Sequence, residues 1–324
     1  MKKVGIIGGS GYTGGELIRL IIDHPLIELD FVYSTRKSDT LITDTHLDLL
    51  GRTNLFFTNK INKNVDVLFL CIGHGKSKVF LEKNKFSDST YIIDLSNDFR
   101  LDKENSFNNL NFVYGLPEVH RDKILKTKYV ANPGCFATVI QLSLLPLANN
   151  SLIKNQIHIN ATTGSTGAGA SLSDTKHFSW RNNNLSWYKP FSHQHLEEID
   201  QTLNSLCKNK MKLIFLPYRG NFTRGIFSTT YLNYEGTLES ANELYNDYYK
   251  NAPFTHISKN EISLKNVINS NNCFIHLHKH DNILLITSVI DNLIKGASGQ
   301  AIQNLNIMMG WDETSGLKLK SNIY

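Results

Sequence analysis

Cysteine is scarce in this chain. Among 324 residues there are four, Cys71, Cys135, Cys207 and Cys273, and none are paired at a spacing that metal sites use. That scarcity excludes a disulfide framework and implies free thiols in a reducing compartment. Long apolar runs are missing as well. Val4 to Ile7 breaks at Gly8-Gly9-Ser10-Gly11, too short for a secretory leader or a membrane span, so a cytoplasmic protein is expected. Charge of one sign is not concentrated anywhere. Lys and Arg number 34 against 29 Asp and Glu, a formal balance of +5 without a basic stripe, which leaves nucleic-acid binding unsupported. Neither an internal repeat nor a low-complexity linker is visible. What remains is an ordinary globular composition, 41% hydrophobic and 19% charged, in a chain long enough for two domains.

The apolar pattern changes along the chain. Val4 to Ile7, Ile27 to Tyr33, Val65 to Cys71 and Tyr91 to Leu95 read as strands, with helical spacing between them, for example Glu16 to Ile22. Strands alternating with helices predict a parallel sheet with crossover helices. After a helix from Cys135 to about Ala148, the strands become more frequent: Ile157 to Thr163, Met211 to Pro217, Ile226 to Tyr234, and a hairpin from Cys273 to Asp291. Helices fall at about 195–207 and 239–250. The expected fold is therefore a Rossmann-type α/β dinucleotide-binding domain plus an α+β domain on a mixed, largely antiparallel sheet. The expected division is 1–134 and 135–296, with a C-terminal helix, 297–324, completing the first domain.

Gly8-x-x-Gly11-x-x-Gly14 follows a strand and opens a helix. In that context glycines let the backbone approach a pyrophosphate, and the helix N-terminus supplies N–H donors. The turn around Gly8, Ser10, Gly11, Tyr12, Thr13 and Gly14 is thus a candidate cofactor site, although a tight strand-to-helix turn needs glycines even without a ligand. The end of the second strand decides the dinucleotide. Its Ser34-Thr35-Arg36-Lys37 offers hydroxyls and cations where an NAD site wants a carboxylate, so NADP is expected. Gly73-His74-Gly75, closing another strand, adds Gly73 to the candidates.

Asn132-Pro133-Gly134-Cys135 carries the chemistry. A thiol that opens a helix sits where unpaired N–H groups and the helix dipole favour thiolate. A thiolate nucleophile needs an acid/base partner, and His193-Gln194-His195 supplies two imidazoles. Both features also have plainer readings, a buried small thiol and a polar helix cap. His-x-His could be half of a metal site, but further ligands are not evident and no metal is expected. Three polar segments, two of them glycine-bearing, lie at strand ends, where such sites are built: Asp94 to Arg100, Thr162 to Gly169 and Asp291 to Gly299.

Taken together these motifs resemble the N-acetyl-gamma-glutamyl-phosphate reductases of arginine biosynthesis, within the aspartate-semialdehyde dehydrogenase superfamily. The resemblance runs from Gly8-Gly9-Ser10-Gly11-Tyr12-Thr13-Gly14-Gly15 to Gly310-Trp311-Asp312-Glu313-Thr314, and includes Thr223-Arg224-Gly225 and Asp291-Asn292-Leu293-Ile294-Lys295-Gly296-Ala297. It implies an NADPH-dependent acyl-phosphate reductase that works through a Cys135 thioester, with His193 or His195, and preferably His195, moving the proton. It implies that Arg100 anchors phosphate, Arg224 meets a substrate carboxylate, Asn292 approaches the nicotinamide, and Ser165 and Gly167 lie near cofactor and substrate. It also implies a homodimer or homotetramer and small-molecule partners, the acyl phosphate and inorganic phosphate.

One departure bears on the substrate. The family often carries Arg between the two histidines and Pro soon after, where this chain has Gln194 and then Leu196-Glu197. A segment Ser179-Trp180-Arg181-Asn182-Asn183-Asn184 precedes it. These features keep an N-succinyl substrate open beside the N-acetyl one, with Arg181 or Lys189 as partner of the added carboxylate. A carrier-linked substrate, and a non-catalytic NADP-binding sensor on the same scaffold, are the other readings. Cys135 and both histidines argue against the sensor.

Overall fold

A computed structural model describes every residue except Asn155, Lys208, Lys210 and Tyr324. The chain forms two compact units, Met1–Pro133 with Ala297–Lys318, and Gly134–Gly296 joined by the segment that begins at Leu319. In chain order the first contributes β1 (Lys2–Ile7), α1 (Tyr12–Ile22), β2 (Ile27–Tyr33), β3 (Phe57–Thr58), β4 (Val67–Leu70), α2 (Ser77–Lys83), β5 (Tyr91–Asp94), the ribbon β6 (Ser106–Phe107) and β7 (Leu110–Asn111), β8 (Val113–Tyr114), α3 (Pro117–Leu125) and β9 (Tyr129–Ala131). The second contributes α4 (Cys135–Asn149), β10 (Gln156–Thr163), α5 (Phe178–Arg181), β11 (Ser186–Trp187), α6 (Leu196–Leu206), β12 (Lys212–Arg219), β13 (Ile226–Asn233), α7 (Leu238–Tyr249), β14 (Thr255–Ser258), β15 (Cys273–His280) and β16 (Ile283–Ile290). The chain then makes a π-helical turn at Ile294–Ser298 and returns to the first unit as α8 (Gly299–Met308).

The first sheet is parallel throughout, in the order β3-β2-β1-β4-β5-β9-β8. Its central strands are buried on both faces, which explains their continuous apolar runs: Val67, Leu68, Phe69 and Leu70 are all fully buried. The strand order reverses at β1, so the crevice for a ligand opens beyond that strand's carboxyl end. The turn after β1 is Gly8 to Gly11.

The second sheet is mixed, in the order β11-β12-β10-β13-β16-β15-β14. β10 pairs parallel with β12, and β14 with β15; the other pairs are antiparallel. Alternating burial along β10 and β13 shows that only one face of these strands packs inward. That face is covered by α4, which touches β13, β16 and α6. Residues 136–148 of α4 are buried on every side, and each fully buried Leu or Ile there contributes about 2 kcal/mol. Pro146 has no N–H for the Leu142 carbonyl, and the Tyr249 hydroxyl donates to that oxygen instead.

The C-terminal helix is shorter than the expected 297–324. α8 ends at Met308, where Gly310 at φ +68° supplies the left-handed turn that closes helices, and Asp312 Oδ1 then accepts from Thr314 N and Oγ1 in a local turn. α8 is polar yet buried because it works as a clamp. Gln300 and Asn304 donate to the Gly115 carbonyl at 3.0 and 2.9 Å, and Asn304 donates to Asn132 Oδ1 at 3.1 Å. No helix of the described residues is long and apolar enough to cross a membrane.

Candidate active site

The first unit holds a cradle made of backbone. Gly8 sits at φ +85°, and a Cβ there would lie 2.6 Å from the Cys71 carbonyl oxygen. A Cβ on Gly14 would lie 2.6 Å from Gly9 Cα, so that glycine packs helix against turn. Gly11, the N-cap of α1, and Gly73, at φ +86°, face open space instead. α1 has no acidic residue in its first turn and no side chain capping its N-terminus, which leaves its positive end open to an anion. Ser34 is buried with Oγ 3.4 Å from Ser10 Oγ, so the ends of β1 and β2 meet at this turn. Thr35, Arg36 and Lys37 are exposed, and Arg36 has no carboxylate partner among the described residues. A backbone cradle beside an unpaired guanidinium fits a pyrophosphate and a 2′-phosphate.

Around this cradle lies a network that only the three-dimensional structure reveals. Asp98 accepts from the N–H groups of Ser77 and Lys78 and so caps α2, while the Gly75 N–H also reaches it. Asp94 is fully buried and accepts from the Ser77 and Ser96 hydroxyls, both at 2.6 Å. Burial, with Asp98 nearby, raises its pKa to about 6. Arg100 is buried; its Nε donates to the Asn132 carbonyl at 2.8 Å and a terminal nitrogen to the Leu95 carbonyl at 3.1 Å. In this structure it braces the approach to Asn132-Pro133.

The second unit holds the thiol. Cys135 is the first residue of α4 and is partly exposed. Gly134 caps the helix at extended φ/ψ and has no side chain to offer the first-turn N–H groups. It is also required for space, since a Cβ at 134 would collide with the His195 imidazole. Gly296 presses from another side, where a Cβ would lie 2.8 Å from Cys135 Cβ. The thiol therefore stands between an imidazole and a π-helical turn.

The two histidines differ in their surroundings. His193 is buried, edge-on to His195 with ring centres 4.6 Å apart, and within 5.7 Å of the rings of Phe136, Tyr188 and Phe215. Burial, helped by the Lys189 and Arg219 charges, lowers its pKa to about 4. Its Nδ1 accepts from the His195 backbone N–H at 3.2 Å. His195 places Nε2 3.9 Å from Glu198 Oε1, one turn along α6, and Glu198 Oε2 accepts from the Gly134 N–H at 3.1 Å. Glu198 is buried, and no motif in the sequence marks it as a site residue. Its one signal is its position three residues after His195 at a helix start, indistinguishable in sequence from an ordinary first-turn carboxylate. Among the described residues no group of three or more His, Cys, Asp or Glu could hold a metal ion.

A third cluster lies at the other strand ends of this unit. The Ser165 and Thr166 N–H groups donate to the Phe222 and Thr223 carbonyls, joining the loop of Ser165 and Gly167 to that of Arg224. Asn292 bridges the two, accepting from Gly225 N at 2.6 Å and donating to Thr166 Oγ1 at 3.1 Å. Arg224 grips the fully buried Asp291 through Nε at 3.1 Å and a terminal nitrogen at 3.3 Å. Arg181 is 7% exposed and donates to the Thr175 and Arg219 carbonyls and to Ser186 Oγ. It holds its loop together and leaves little for a succinyl carboxylate. Lys189 donates to Gln194 Oε1 at 2.9 Å. The expected cofactor contacts thus divide between the units, with Gly8 to Gly14, Ser34 to Arg36 and Gly73 in the first, and Ser165, Gly167 and Asn292 in the second.

The fold and site define a class, the semialdehyde dehydrogenases. Residues 3–127 match the family model for their NAD-binding domain and residues 135–292 that for their dimerisation domain. Solved structures agree on the fold: an aspartate semialdehyde dehydrogenase with NADP from Candida albicans superposes at TM-score 0.70 over 95% of this chain and 99% of that one, at 13% identity. Within the class, the sequence is 56% identical over 321 residues to the N-acetyl-gamma-glutamyl-phosphate reductase of Flavobacterium johnsoniae, covering 99% of both chains. It is 53% identical over 325 residues to that of Christiangramia forsetii, covering 100% of both. The chain belongs to the N-acetyl-gamma-glutamyl-phosphate reductase family.

Proposed function

We propose that this chain uses NADPH to reduce N-acetyl-gamma-glutamyl phosphate to N-acetylglutamate semialdehyde, releasing inorganic phosphate, as a step of arginine biosynthesis. The names of full-length relatives support the substrate. The observation that carries the chemistry is Cys135 at the start of α4, with His195 against Gly134 and Glu198 behind both.

Cys135 Sγ attacks the acyl carbonyl, the bond to the phosphate oxygen breaks, and phosphate leaves with that electron pair. A thioester on Cys135 remains. Thiolate suits both halves of the reaction, since it attacks well and also leaves. The first-turn N–H groups of α4 stabilise the negative oxygen formed at the carbonyl. NADPH supplies the hydride for the second half. His195, with the Glu198 carboxyl 3.9 Å from its Nε2, lends a proton to the oxygen as charge develops and takes it back as the carbon–sulfur bond breaks. His193 is neutral at pH 7 and cannot be that acid; it orients His195 through the backbone. Gly8, Ser10, Gly11, Tyr12, Thr13, Gly14 and Gly73 hold the pyrophosphate end of the cofactor, and Ser34, Thr35 and Arg36 its 2′-phosphate. Ser165, Gly167 and Asn292 serve as further cofactor contacts.

In this reading residues 1–134, with α8, bind the cofactor, and 135–296 carry catalysis and assembly. The chain works in the cytoplasm as a homodimer or homotetramer through the second unit, and the matched dimerisation domain supports that. The direct test runs the reaction backward. N-acetylglutamate semialdehyde should reduce NADP only when phosphate is present. Folded, cofactor-binding protein without that activity would overturn the proposal.

A further inference from the structure

Arg100, Arg181 and Arg224 all have guanidinium nitrogens engaged by backbone carbonyls or by Asp291. Arg219, the last residue of β12, is different. Its Cζ lies 4.6 Å from the centre of the Tyr188 ring, and its Nε is buried without a hydrogen-bond partner. No carboxylate and no carbonyl of the described residues engages its side chain; its hydrogen-bond partner is the Tyr188 hydroxyl. A buried N–H left without an acceptor is destabilising, so its retention asks for a partner.

The surroundings define that partner's charge. Lys176, Arg181 and Lys189 lie around Arg219 and His193, and the Arg219 charge acts on Lys176, Arg181 and His193. Lys176 donates to the Ala168 and Gly169 carbonyls, Arg181 to those of Thr175 and Arg219 itself, and Lys189 to Gln194. None of these cations pairs with a carboxylate among the described residues. Concentrated positive charge of this kind is repulsive until an anion arrives. The position is also right for a substrate. Tyr188, on which Arg219 stacks, lies 5.7 Å from His193, His193 lies 4.6 Å from His195, and His195 rests against Gly134 beside Cys135.

We propose that Arg219 binds a carboxylate of the substrate, at a subsite that Tyr188, His193 and Lys189 border. This rests on the reductase reading above and reassigns the carboxylate contact expected of Arg224, whose charge Asp291 already answers. The planar guanidinium would take the carboxylate in a two-toothed contact, with Tyr188 beneath it. Two carboxylates fit this chemistry, the α-carboxylate of the glutamyl part and the terminal carboxylate of a succinyl group.

The test compares Arg219→Gln and Arg219→Lys with the unaltered protein in phosphate-dependent NADP reduction. N-acetylglutamate semialdehyde and N-succinylglutamate semialdehyde are the two substrates, with KM and kcat followed separately. If Arg219 holds the α-carboxylate, Arg219→Gln raises KM for both aldehydes by about 10- to 100-fold with kcat largely kept. If it holds the acyl carboxylate, only the succinyl substrate shows that rise. Arg219→Lys should recover part of either loss, which a purely structural role in stacking on Tyr188 would not predict. Unchanged KM for both aldehydes, or a rise confined to phosphate, overturns the proposal. If Arg219→Gln does not fold, Arg219→Lys alone decides: it keeps the charge but loses the fork, so an aldehyde KM equal to that of the unaltered protein refutes the subsite. Unaltered protein that turns over neither aldehyde would instead remove the reductase reading.

Discussion

The Gly8 turn and the Cys135 turn both end at the start of a helix, yet they are built on opposite principles. At Gly8 the structure keeps side chains away: Gly11 and Gly73 face empty space, and α1 offers only its N–H groups. At Cys135 side chains crowd in. His195 fills the space a Cβ on Gly134 would need, Gly296 yields to Cys135 Cβ, and Glu198 reaches the Gly134 N–H. A bare helix end binds a large anion through the backbone. A crowded one holds a single reactive atom in one place. Cys71 makes the same point within the first unit. It is a half-exposed thiol just past a strand end, where desolvation and the Asp94 charge push its pKa up, whereas Cys135 opens a helix.

The contrast predicts a ranking of effects. Cys135→Ser should break the crowded site most completely, lowering kcat by at least about 10³-fold while NADP binding, read by fluorescence titration, is kept. Glu198→Gln removes the charge behind His195 and should lower kcat by about 100-fold, with the KM for NADP unchanged in steady-state assays. At the open site, Arg36→Ala should spare kcat and raise the KM for NADPH by about 10-fold, narrowing the preference over NADH. An equal loss with both cofactors would place the 2′-phosphate elsewhere.

The smallest effect concerns pH. His193 has its pKa lowered to about 4 from 6.5, so the unfolded chain takes up a proton that the folded one refuses as pH falls through that window. Stability that His193 leaves intact above pH 6.5 is therefore lost progressively toward pH 4. Asp94, raised to about 6, works in the opposite direction in the first unit. The comparison must for that reason be made against His193→Asn. Its unfolding midpoint should match that of the unaltered protein at pH 7.5, apart from a constant offset, and fall less steeply between pH 6.5 and 4. Parallel curves would refute the buried, neutral imidazole.

Much of the fold and of the site is legible in the sequence. The glycine spacing after an apolar strand, the thiol after Asn132-Pro133-Gly134 and the paired histidines are local patterns, and local patterns survive in one dimension. The parallel sheet follows from continuous apolar runs, and the hairpin of Cys273 to Asp291 from its alternation. What escapes is set by contacts distant in sequence. Glu198 looks like any carboxylate in a first helical turn until His195 and Gly134 meet it. Arg224 and Arg181 look available until Asp291 and the carbonyls of Thr175 and Arg219 engage them. Arg219 carries no motif at all and stands out only because, among the described residues, no carboxylate or carbonyl answers its side chain. The C-terminal helix, expected over 297–324, stops at Met308 because Gly310 takes a positive φ and Asp312 turns the chain.

The whole mechanism turns on acylation of Cys135. Mixing the protein with N-acetyl-gamma-glutamyl phosphate in the absence of NADPH, then measuring released phosphate and intact protein mass, tests it directly. The expected result is a burst of one phosphate per active site and a mass gain of one N-acetylglutamyl group on the Cys135 peptide, both lost in Cys135→Ser. Phosphate released without a mass gain, or a label on any other residue, would contradict it.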